Sequence, residues 1–401
     1  MKQASRPFFA SLILLAGATT LSAAGPLKVF ILAGQSNMQG HAQVRTLEHI
    51  GMDPTTAPLL VAMQNEDGTP RVHRNVWVSS IGSSESEKIG PLTVGFGAER
   101  GGPKIGPELT FGIYMQRAVD EPILIIKTAW GGKSLHTDFR SPSGGAFEFT
   151  DEQLATIRKR GNDVDQAKAE KSAATGRYYR LMIEHVRGVL SNIARVYPDY
   201  DSTAGYELSG FVWFQGWNDM VDRGVYPTRD QPGGYDMYSR LMAHFIRDVR
   251  KDLQTPQLPF VIGVMGVNGP VAKYGRDHKR YATVHQNFRD AMAAPASLPE
   301  FKGNVVAVRT EAFWDLELTA LRSRNDVINR DVKKRAAEEK LSRQEQDVLR
   351  NELQAEEFND RERRVLETGA SNAAYHYLGC AKILAQIGKG FADAMVDLAK
   401  R

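Results

Sequence analysis

The residue types that suit hydrolysis by a serine occur at four separate positions: Ser36, Gly131, Asn218 and His376. Such a reaction needs a base within hydrogen-bond reach of the hydroxyl, donors directed at the developing oxyanion, and a group that orients the base. Ser36 can be the nucleophile and His376 the base. The backbone N–H groups of Ser36 and Gly131, with the Asn218 amide, can be the donors. Glycine at position 131 lets a backbone N–H approach the substrate closely.

The first three of these residues each follow an apolar run of the length of a buried strand. Five such runs alternate with segments of helical periodicity: 28–33, 122–127, 210–215, 260–265 and 304–308. This alternation predicts a mainly parallel sheet with helices on both faces, a three-layer α/β/α fold. Reactive groups in such sheets lie at the carboxyl ends of the strands, so we expect the three residues to face one crevice. For Ser36 alone, a helix cap is the alternative interpretation.

The bulk composition is that of an ordinary globular protein. Of the 401 residues, 42% are hydrophobic and 24% charged, and the formal net charge is +4. That near balance argues against a dedicated nucleic-acid binder, which would carry a concentrated basic excess. The single cysteine, Cys380, excludes an intrachain disulfide and a CxxC pair, and we expect it to be a small buried residue.

The N-terminal residues 1–24 have the pattern of an export signal. Lys2 and Arg6 precede an apolar run at 8–16, and small residues stand at 22–24. The apolar run is short for a membrane-spanning helix. We therefore predict a secreted or periplasmic protein, with no membrane association after cleavage and a mature chain of one domain over 25–401.

Three segments break the alternation of strands and helices. Residues 41–104 show little periodicity, and 150–175 are strongly charged, which predicts an exposed excursion. The stretch at about 321–367 mixes both charge signs and contains a capping-box pattern at Ser342–Glu345. It predicts a solvated helical insertion, whose role and effect on oligomeric state the sequence leaves open.

Three motifs in order carry a resemblance to a known family. They are G-Q-S-N-M at 34–38, K-T-A-W-G-G-K-S-L at 127–135 and W-F-Q-G-W-N-D at 213–219, with G-P-E-L at 106–109 as a further segment. Together they resemble the sialate O-acetylesterase and acetylxylan esterase group of the SGNH hydrolase superfamily. The resemblance implies a flavodoxin-like fold, no metal or organic cofactor, and removal of O-acetyl groups from an acetylated carbohydrate.

The resemblance also implies roles for individual residues. The letters S, G, N and H of the superfamily name fall on Ser36, Gly131, Asn218 and His376. Its motifs further suggest substrate-binding residues, namely Gln35, Asn37, Glu108, Gln215 and Trp217. The tryptophans near the strand ends suit sugar stacking about as well as core packing.

One position departs from the family pattern. An Asp usually precedes the catalytic His by a few residues, but here the positions are Asn372, Ala373 and Ala374. Either another carboxylate (Glu311, Asp315 or Glu367) or a backbone carbonyl could orient His376. We choose Asp315, because it follows the fifth strand and precedes His376 in the chain.

Two alternatives to a carbohydrate O-acetylesterase stay open at this point. The missing Asp is compatible with a carbohydrate-binding protein whose catalysis has decayed, although retention of all four site residues argues against it. The fold also allows an esterase that acts on a non-acetyl ester.

Overall fold

A single seven-stranded sheet forms the centre of the molecule, whose computed structural model describes residues 25–400; the predicted export signal lies outside the described residues. The strands are β1 Leu27–Gly34, β2 Ala42–Gln43, β3 His73–Gly82, β4 Lys88–Leu92, β5 Lys104–Ile105, β6 Ile123–Ala129, β7 Tyr206–Phe214, β8 Phe260–Val264 and β9 Val305–Arg309. The sheet order is β4-β3-β6-β1-β7-β8-β9, and β2 pairs separately with β5. All five predicted strands are confirmed.

The sheet is parallel except at one edge, where β4 runs antiparallel to β3. Strands β6-β1-β7-β8-β9 have the 2-1-3-4-5 order of a flavodoxin-like sheet, with the β3–β4 hairpin added outside β6. This hairpin was not predicted, because β3 contains serine, asparagine and arginine and lacks the continuous apolar run of a central strand. The order reverses direction between β1 and β7, which is where ligands bind in such folds.

Fourteen α-helices surround the sheet within residues 25–400. They are α1 Ser36–Gln39, α2 Glu48–Gly51, α3 Ala57–Met63, α4 Glu108–Gln116, α5 Asp151–Lys159, α6 Val164–Ala174, α7 Arg177–Ser191, α8 Trp217–Val221, α9 Asp236–Asp252, α10 Ala282–Ala293, α11 Leu316–Glu339, α12 Arg343–Glu357, α13 Asp360–Thr368 and α14 Ala381–Ala399. None of them is long and apolar enough to span a bilayer.

Side chains of β7 show how the two helical layers cover the sheet. Phe211 and Trp213 point to one face and contact Phe245 of α9, with ring centroids 5.9 and 4.4 Å away. Phe214 points to the opposite face and packs on Phe391 of α14, at 5.3 Å. Because successive strand residues alternate between faces, the two layers together bury residues 210–214 of this strand, and the predicted three-layer α/β/α fold is confirmed.

The charged segments form helices with little buried surface. Helices α5 and α6 have no buried residue, which confirms the exposed excursion. The segment at 321–367 forms most of α11, all of α12 and most of α13, and the predicted capping box between Ser342 and Glu345 is present. Cys380 is buried, as expected.

Candidate active site

The register of three adjacent strands brings the predicted site residues to one level. Gly34 at the end of β1 pairs with Ala129 of β6 on one side and with Phe214 of β7 on the other. Ser36 and Gly131 lie two residues beyond this level and Asn218 lies four beyond it. The three strands therefore end at the same edge of the sheet, as expected; Ser36 and Gly131 line the cavity there, whereas Asn218 is not among its lining residues.

A cavity of about 830 Å³ opens at this edge and is lined by Ser36, Gly131 and His376. Asn372 and His41 are also part of its wall. Two sequence positions 340 residues apart, Ser36 and His376, therefore share one pocket. Within residues 25–400 no cluster of His, Cys, Asp or Glu side chains could hold a metal ion.

A sharp turn presents Ser36 at the start of α1. Gly34 has a φ of +155°, and a Cβ there would lie 2.2 Å from the carbonyl oxygen of Phe214. Only glycine fits so close to the neighbouring strand. Ser36 is 6% exposed, so its hydroxyl reaches the cavity from a nearly buried position.

Gln35 positions its neighbours rather than binding substrate, because it is 1% exposed. Its Oε1 accepts a hydrogen bond from the Gly216 N–H at 2.9 Å, and its Nε2 donates to Asn218 Oδ1 at 3.1 Å. Gln35 Nε2 also lies 3.5 Å from Ser36 Oγ. Since the Asn218 oxygen is engaged by Gln35, its Nδ2 is the end of the amide that is left to donate.

The N–H of Gly131 is close to Ser36 and already has an acceptor. A Cβ on Gly131 would lie 3.8 Å from Ser36 Cβ. The Gly131 N–H donates to Ser83 Oγ at 3.0 Å, a hydroxyl from the turn that joins β3 to β4. Ser83 was not predicted, because it lies in the segment without periodicity. Its hydroxyl marks a position where this N–H binds an oxygen.

The hydrogen bonds of Asn372 define the protonation of the His376 ring. Asn372 Oδ1 accepts from the Ala373 N–H at 2.7 Å and lies 3.1 Å from His376 Nδ1. Because an amide oxygen only accepts hydrogen bonds, this contact favours the tautomer with the proton on Nδ1 and the lone pair on Nε2. Burial lowers the pKa of His376 to about 4, so the ring is neutral at neutral pH.

Asp315 does not contact His376, and its predicted orienting role is wrong. Its Oδ2 binds His49 Nε2 at 2.8 Å and Lys382 Nζ at 3.1 Å. Its Oδ1 accepts from the Leu318 N–H at 2.8 Å. Asp315 is the N-cap of α11, so it points to the start of that helix instead of the cavity.

The other two carboxylates considered for this role are also engaged elsewhere. Glu311 lies 3.6 Å from Arg309, and Glu367 lies 3.1 Å from Arg364. Asn372 was not predicted as the orienting residue, because the family pattern has an acid in this role. The signal was present, since an amide oxygen accepts a hydrogen bond as a carboxylate does.

Glu108, also predicted to bind substrate, is instead fully buried in an ion pair. Its Oε2 accepts from Lys127 Nζ at 2.7 Å, and its exposure is 0%. Lys127 Nζ also donates to the carbonyl oxygens of Gln39 and Phe96, at 2.8 and 2.9 Å. The pair therefore fixes the end of α1, and the prediction of substrate contact is wrong.

Gln215 has a comparable structural role and is 2% exposed. Its Nε2 donates to Asp219 Oδ2 at 2.6 Å, and the same carboxylate accepts from the backbone N–H groups of Leu135 and His136, at 2.8 and 3.0 Å. This network ties the turn after β6 to the turn after β7. Gln215 is too buried to contact substrate, and Asn37, 5% exposed, is not part of the cavity wall.

A row of aromatic rings forms beside His376. Trp217 lies 5.6 Å from Tyr375, and Tyr375 lies 4.5 Å from His376, measured between ring centroids. Tyr375 is 42% exposed. On its other side the His376 ring stacks on His41 at 3.9 Å with an interplanar angle of 3°. Of the five predicted substrate-binding residues, Trp217 is the one beside this exposed surface.

The segment after Ser36 holds the loop that carries His376. The Gln43 N–H donates to Ser371 Oγ at 3.1 Å, and Ser371 Oγ donates to the Gly379 carbonyl at 2.7 Å. Arg45 donates to the carbonyl oxygens of Glu367 and Ala370, at 2.7 and 2.8 Å. These contacts explain how a residue outside the sheet is brought to the cavity that Ser36 lines.

The similarity of this chain to solved structures is low. One similar structure is that of a protein from Arabidopsis thaliana, with a TM-score of 0.38 and 17% sequence identity; the match covers 71% of this chain and 86% of that chain. Another is that of a carbohydrate acetylesterase from Xanthomonas citri, with a TM-score of 0.37 and 14% sequence identity; the match covers 70% of this chain and 49% of that chain. No curated protein sequence matches the chain.

A family model does match most of the chain. It is that of the carbohydrate esterases described as sialic acid-specific acetylesterases, and it covers residues 26–299. The matched range includes Ser36, Gly131 and Asn218, while His376 lies beyond it. The chain thus belongs to the sialic acid-specific acetylesterase family of carbohydrate esterases.

Proposed function

We propose that this protein is a secreted or periplasmic serine esterase that removes O-acetyl groups from carbohydrates through an acyl-enzyme on Ser36. The observation that carries the proposal is the shared cavity of Ser36, Gly131 and His376 at the carboxyl ends of β1 and β6. Because Asn372 engages Nδ1, Nε2 is the ring nitrogen available to accept a proton. A nucleophile, a base and an oxyanion donor therefore face the same space.

Acylation begins when Ser36 Oγ attacks the acetyl carbonyl carbon while His376 Nε2 takes the hydroxyl proton. The oxyanion that forms accepts hydrogen bonds from the N–H groups of Ser36 and Gly131 and from Asn218 Nδ2. The bond between the carbonyl carbon and the sugar oxygen then breaks, and the imidazolium gives its proton to that oxygen. In the second half, water loses a proton to His376 and attacks the acyl carbon. The bond from that carbon to Ser36 Oγ then breaks, acetate leaves, and the imidazolium returns its proton to Ser36 Oγ.

Two contacts must change when an ester binds. Ser36 Oγ is 3.5 Å from Gln35 Nε2 and has no hydrogen bond with His376 in the described part of the chain. The Gly131 N–H donates to Ser83 Oγ. Catalytic hydrogen bonds commonly tighten only in the substrate complex, and the acetyl oxygen would take the place of the Ser83 hydroxyl at Gly131.

The test is acetate release from p-nitrophenyl acetate and from O-acetylated sialic acid, xylan and related glycans. We expect Ser36→Ala to lower kcat by about 10⁴-fold or more, because the residual rate comes only from binding and the oxyanion donors. Ser84→Ala is the matched control, since Ser84 lines the same cavity and donates to Glu99. It should leave kcat within about threefold.

Each alternative has its own outcome in this test. Equal activity of wild type and Ser36→Ala would overturn the acyl-enzyme. A wild type that binds glycans but releases no acetate would support the decayed binding protein, and release of another acid would support a non-acetyl ester. Mass spectrometry of the exported protein tests localisation, with cleavage expected after residue 24.

A further inference from the structure

We propose that Asn372 is the positioning residue of His376, in the place that a carboxylate takes in a Ser-His-Asp triad, and that the His41 ring supports the imidazole from its face. The inference rests on the proposed function, because it concerns the base of that reaction. It identifies the group that orients His376 as an uncharged amide.

The backbone around Asn372 fixes the acceptor before any substrate binds. The N–H groups of Ser371 and Asn372 both donate to the Leu378 carbonyl, at 2.8 and 2.9 Å. Gly379 has a φ of +53°, and a Cβ on it would lie 2.7 Å from Asn372 Cβ. The loop therefore closes tightly on itself, with Asn372 Oδ1 between the Ala373 N–H and the His376 ring.

His41 limits the tilt of the His376 ring. A hydrogen bond at Nδ1 still allows the imidazole to tilt, but a parallel ring at 3.9 Å blocks tilting toward that side. Burial, together with His376, Lys104 and Lys127, lowers the pKa of His41 to about 3. Both rings are therefore uncharged at neutral pH and stack without repulsion.

The choice of an amide has an electrostatic consequence. A carboxylate stabilises imidazolium and raises the pKa of its histidine, whereas a neutral amide does not. The groups that face His376 are His41, Tyr375 and Asn372, and the cavity wall adds Lys104, Arg100 and Glu99. None of the adjacent groups is an anion in contact with the ring. The base accordingly stays unprotonated into the acidic range.

The experiment compares pH profiles of kcat/KM for wild type, Asn372→Asp and Asn372→Leu with p-nitrophenyl acetate. The wild type should lose activity only as pH falls toward about 4, where the imidazole becomes protonated. Asn372→Asp keeps both acceptor positions and adds a charge, so its acidic limb should move upward by about 1–3 pH units. Asn372→Leu should lower kcat about 10²-fold with KM unchanged, because the ring is no longer held in the productive geometry.

A second readout depends neither on activity nor on the folding of an Asn372 variant. Nitrogen-15 NMR of the wild type should show His376 protonated at Nδ1 and unprotonated at Nε2, with the signal assigned by its loss in His376→Phe. His41→Phe retains a stacked ring and should keep most of kcat, whereas His41→Ala should lower it.

The outcomes separate this inference from the proposed function. Loss of activity in Ser36→Ala together with wild-type kcat in Asn372→Leu, or an unmoved limb in Asn372→Asp, would overturn the role of Asn372 alone. If Asn372→Leu does not fold, the tautomer observed by NMR decides instead, and a proton on Nε2 would contradict the proposal. Activity that survives Ser36→Ala would overturn the proposed function itself.

Discussion

The two halves of the proposed active site are built in different ways. The half with Ser36, Gly131 and Asn218 is positioned by adjacent strands in register. The half with His376 lies on a short loop between α13 and α14 and has no strand beneath it. Sheet register fixes the first half through many backbone hydrogen bonds, whereas the second half depends on a few side chains.

Buried polar side chains reinforce the strand half. Lys127 and Glu108 form an ion pair with side-chain exposures of 1% and 0%. Burial lowers the pKa of Lys127, and the Glu108 carboxylate opposes that shift. Gln35 and Asp219 link the turns in the same way. The same buried residues therefore stabilise this half and fix its geometry.

The loop half instead contains unusual backbone geometry. Tyr377 and Leu378 have φ values of +51° and +60°, a region that costs about 1 kcal/mol or more for residues with a Cβ. Tyr377 stabilises the loop, because its hydroxyl accepts from the Gly266 N–H at 2.7 Å and donates to Thr310 Oγ1 at 2.7 Å. His376, the proposed base, is thus held by local contacts and is not part of the sheet.

The largest expected effect comes from the buried ion pair of the strand half. Lys127→Met leaves the Glu108 carboxylate buried without a partner and should lower the free energy of unfolding by about 3–5 kcal/mol. Urea denaturation measures this loss of unfolding free energy. Lys28→Met is the matched control on β1, because Lys28 pairs with the half-exposed Glu207 at 2.8 Å and should cost about 1 kcal/mol or less. Equal losses would contradict the distinction between the two pairs.

The next prediction separates two properties of Asn218: the position of its side chain, which Gln35 holds, and the hydrogen bond that its amide donates. Asn218→Ala should lower kcat by about 10²–10³-fold with the fold intact, which is typical for loss of one oxyanion donor. Asn218→Asp retains the acceptor for Gln35 but removes the donor, so it should lose at least as much. Steady-state kinetics decide, and near-normal turnover in either variant would remove Asn218 from the oxyanion hole.

A smaller effect is expected from the anchor of the loop half. Tyr377→Phe leaves the Gly266 N–H buried without its acceptor and should cost about 1–3 kcal/mol of stability, with a fall in kcat as the His376 loop loosens. Thermal unfolding and kcat measure the two effects. Tyr197→Phe, a buried tyrosine that packs on Trp77, should change stability by about 0.5 kcal/mol or less. A variant with unchanged stability and kcat would show that the loop does not need this anchor.

The smallest effect concerns the aromatic rim. Tyr375→Ala should raise KM for acetylated sugars about 2–10-fold, the equivalent of about 0.5–1.5 kcal/mol of stacking, and leave KM for p-nitrophenyl acetate unchanged. Tyr206→Ala is the control, because Tyr206 is equally exposed, at 42%, but lies at the opposite end of β7. Equal changes for both esters would show that the rim does not contact the sugar.

The sequence was a good guide to the strand half for a physical reason. A buried parallel strand requires a continuous apolar run, so its position and its carboxyl end can be read directly. Ser36, Gly131 and Asn218 each follow such a run, and the parallel topology places those ends together. The β3–β4 hairpin was not predicted because neither β3 nor the edge strand β4 is a continuous apolar run, and Ser83, in the turn between them, was not predicted either.

The sequence by itself determined the fold and the family, whose model matches residues 26–299. It also determined that Ser36, Gly131 and Asn218 follow strands that end at one edge of the sheet. Tertiary structure alone decided the partner of His376. Asp315 and Asn372 both precede His376 in the chain, but Asp315 caps the start of α11 and binds Leu318, His49 and Lys382 instead. Contacts across more than 300 residues hold the His376 loop beside the segment that follows Ser36. Such contacts leave no periodic pattern, because they depend on where two loops meet in space.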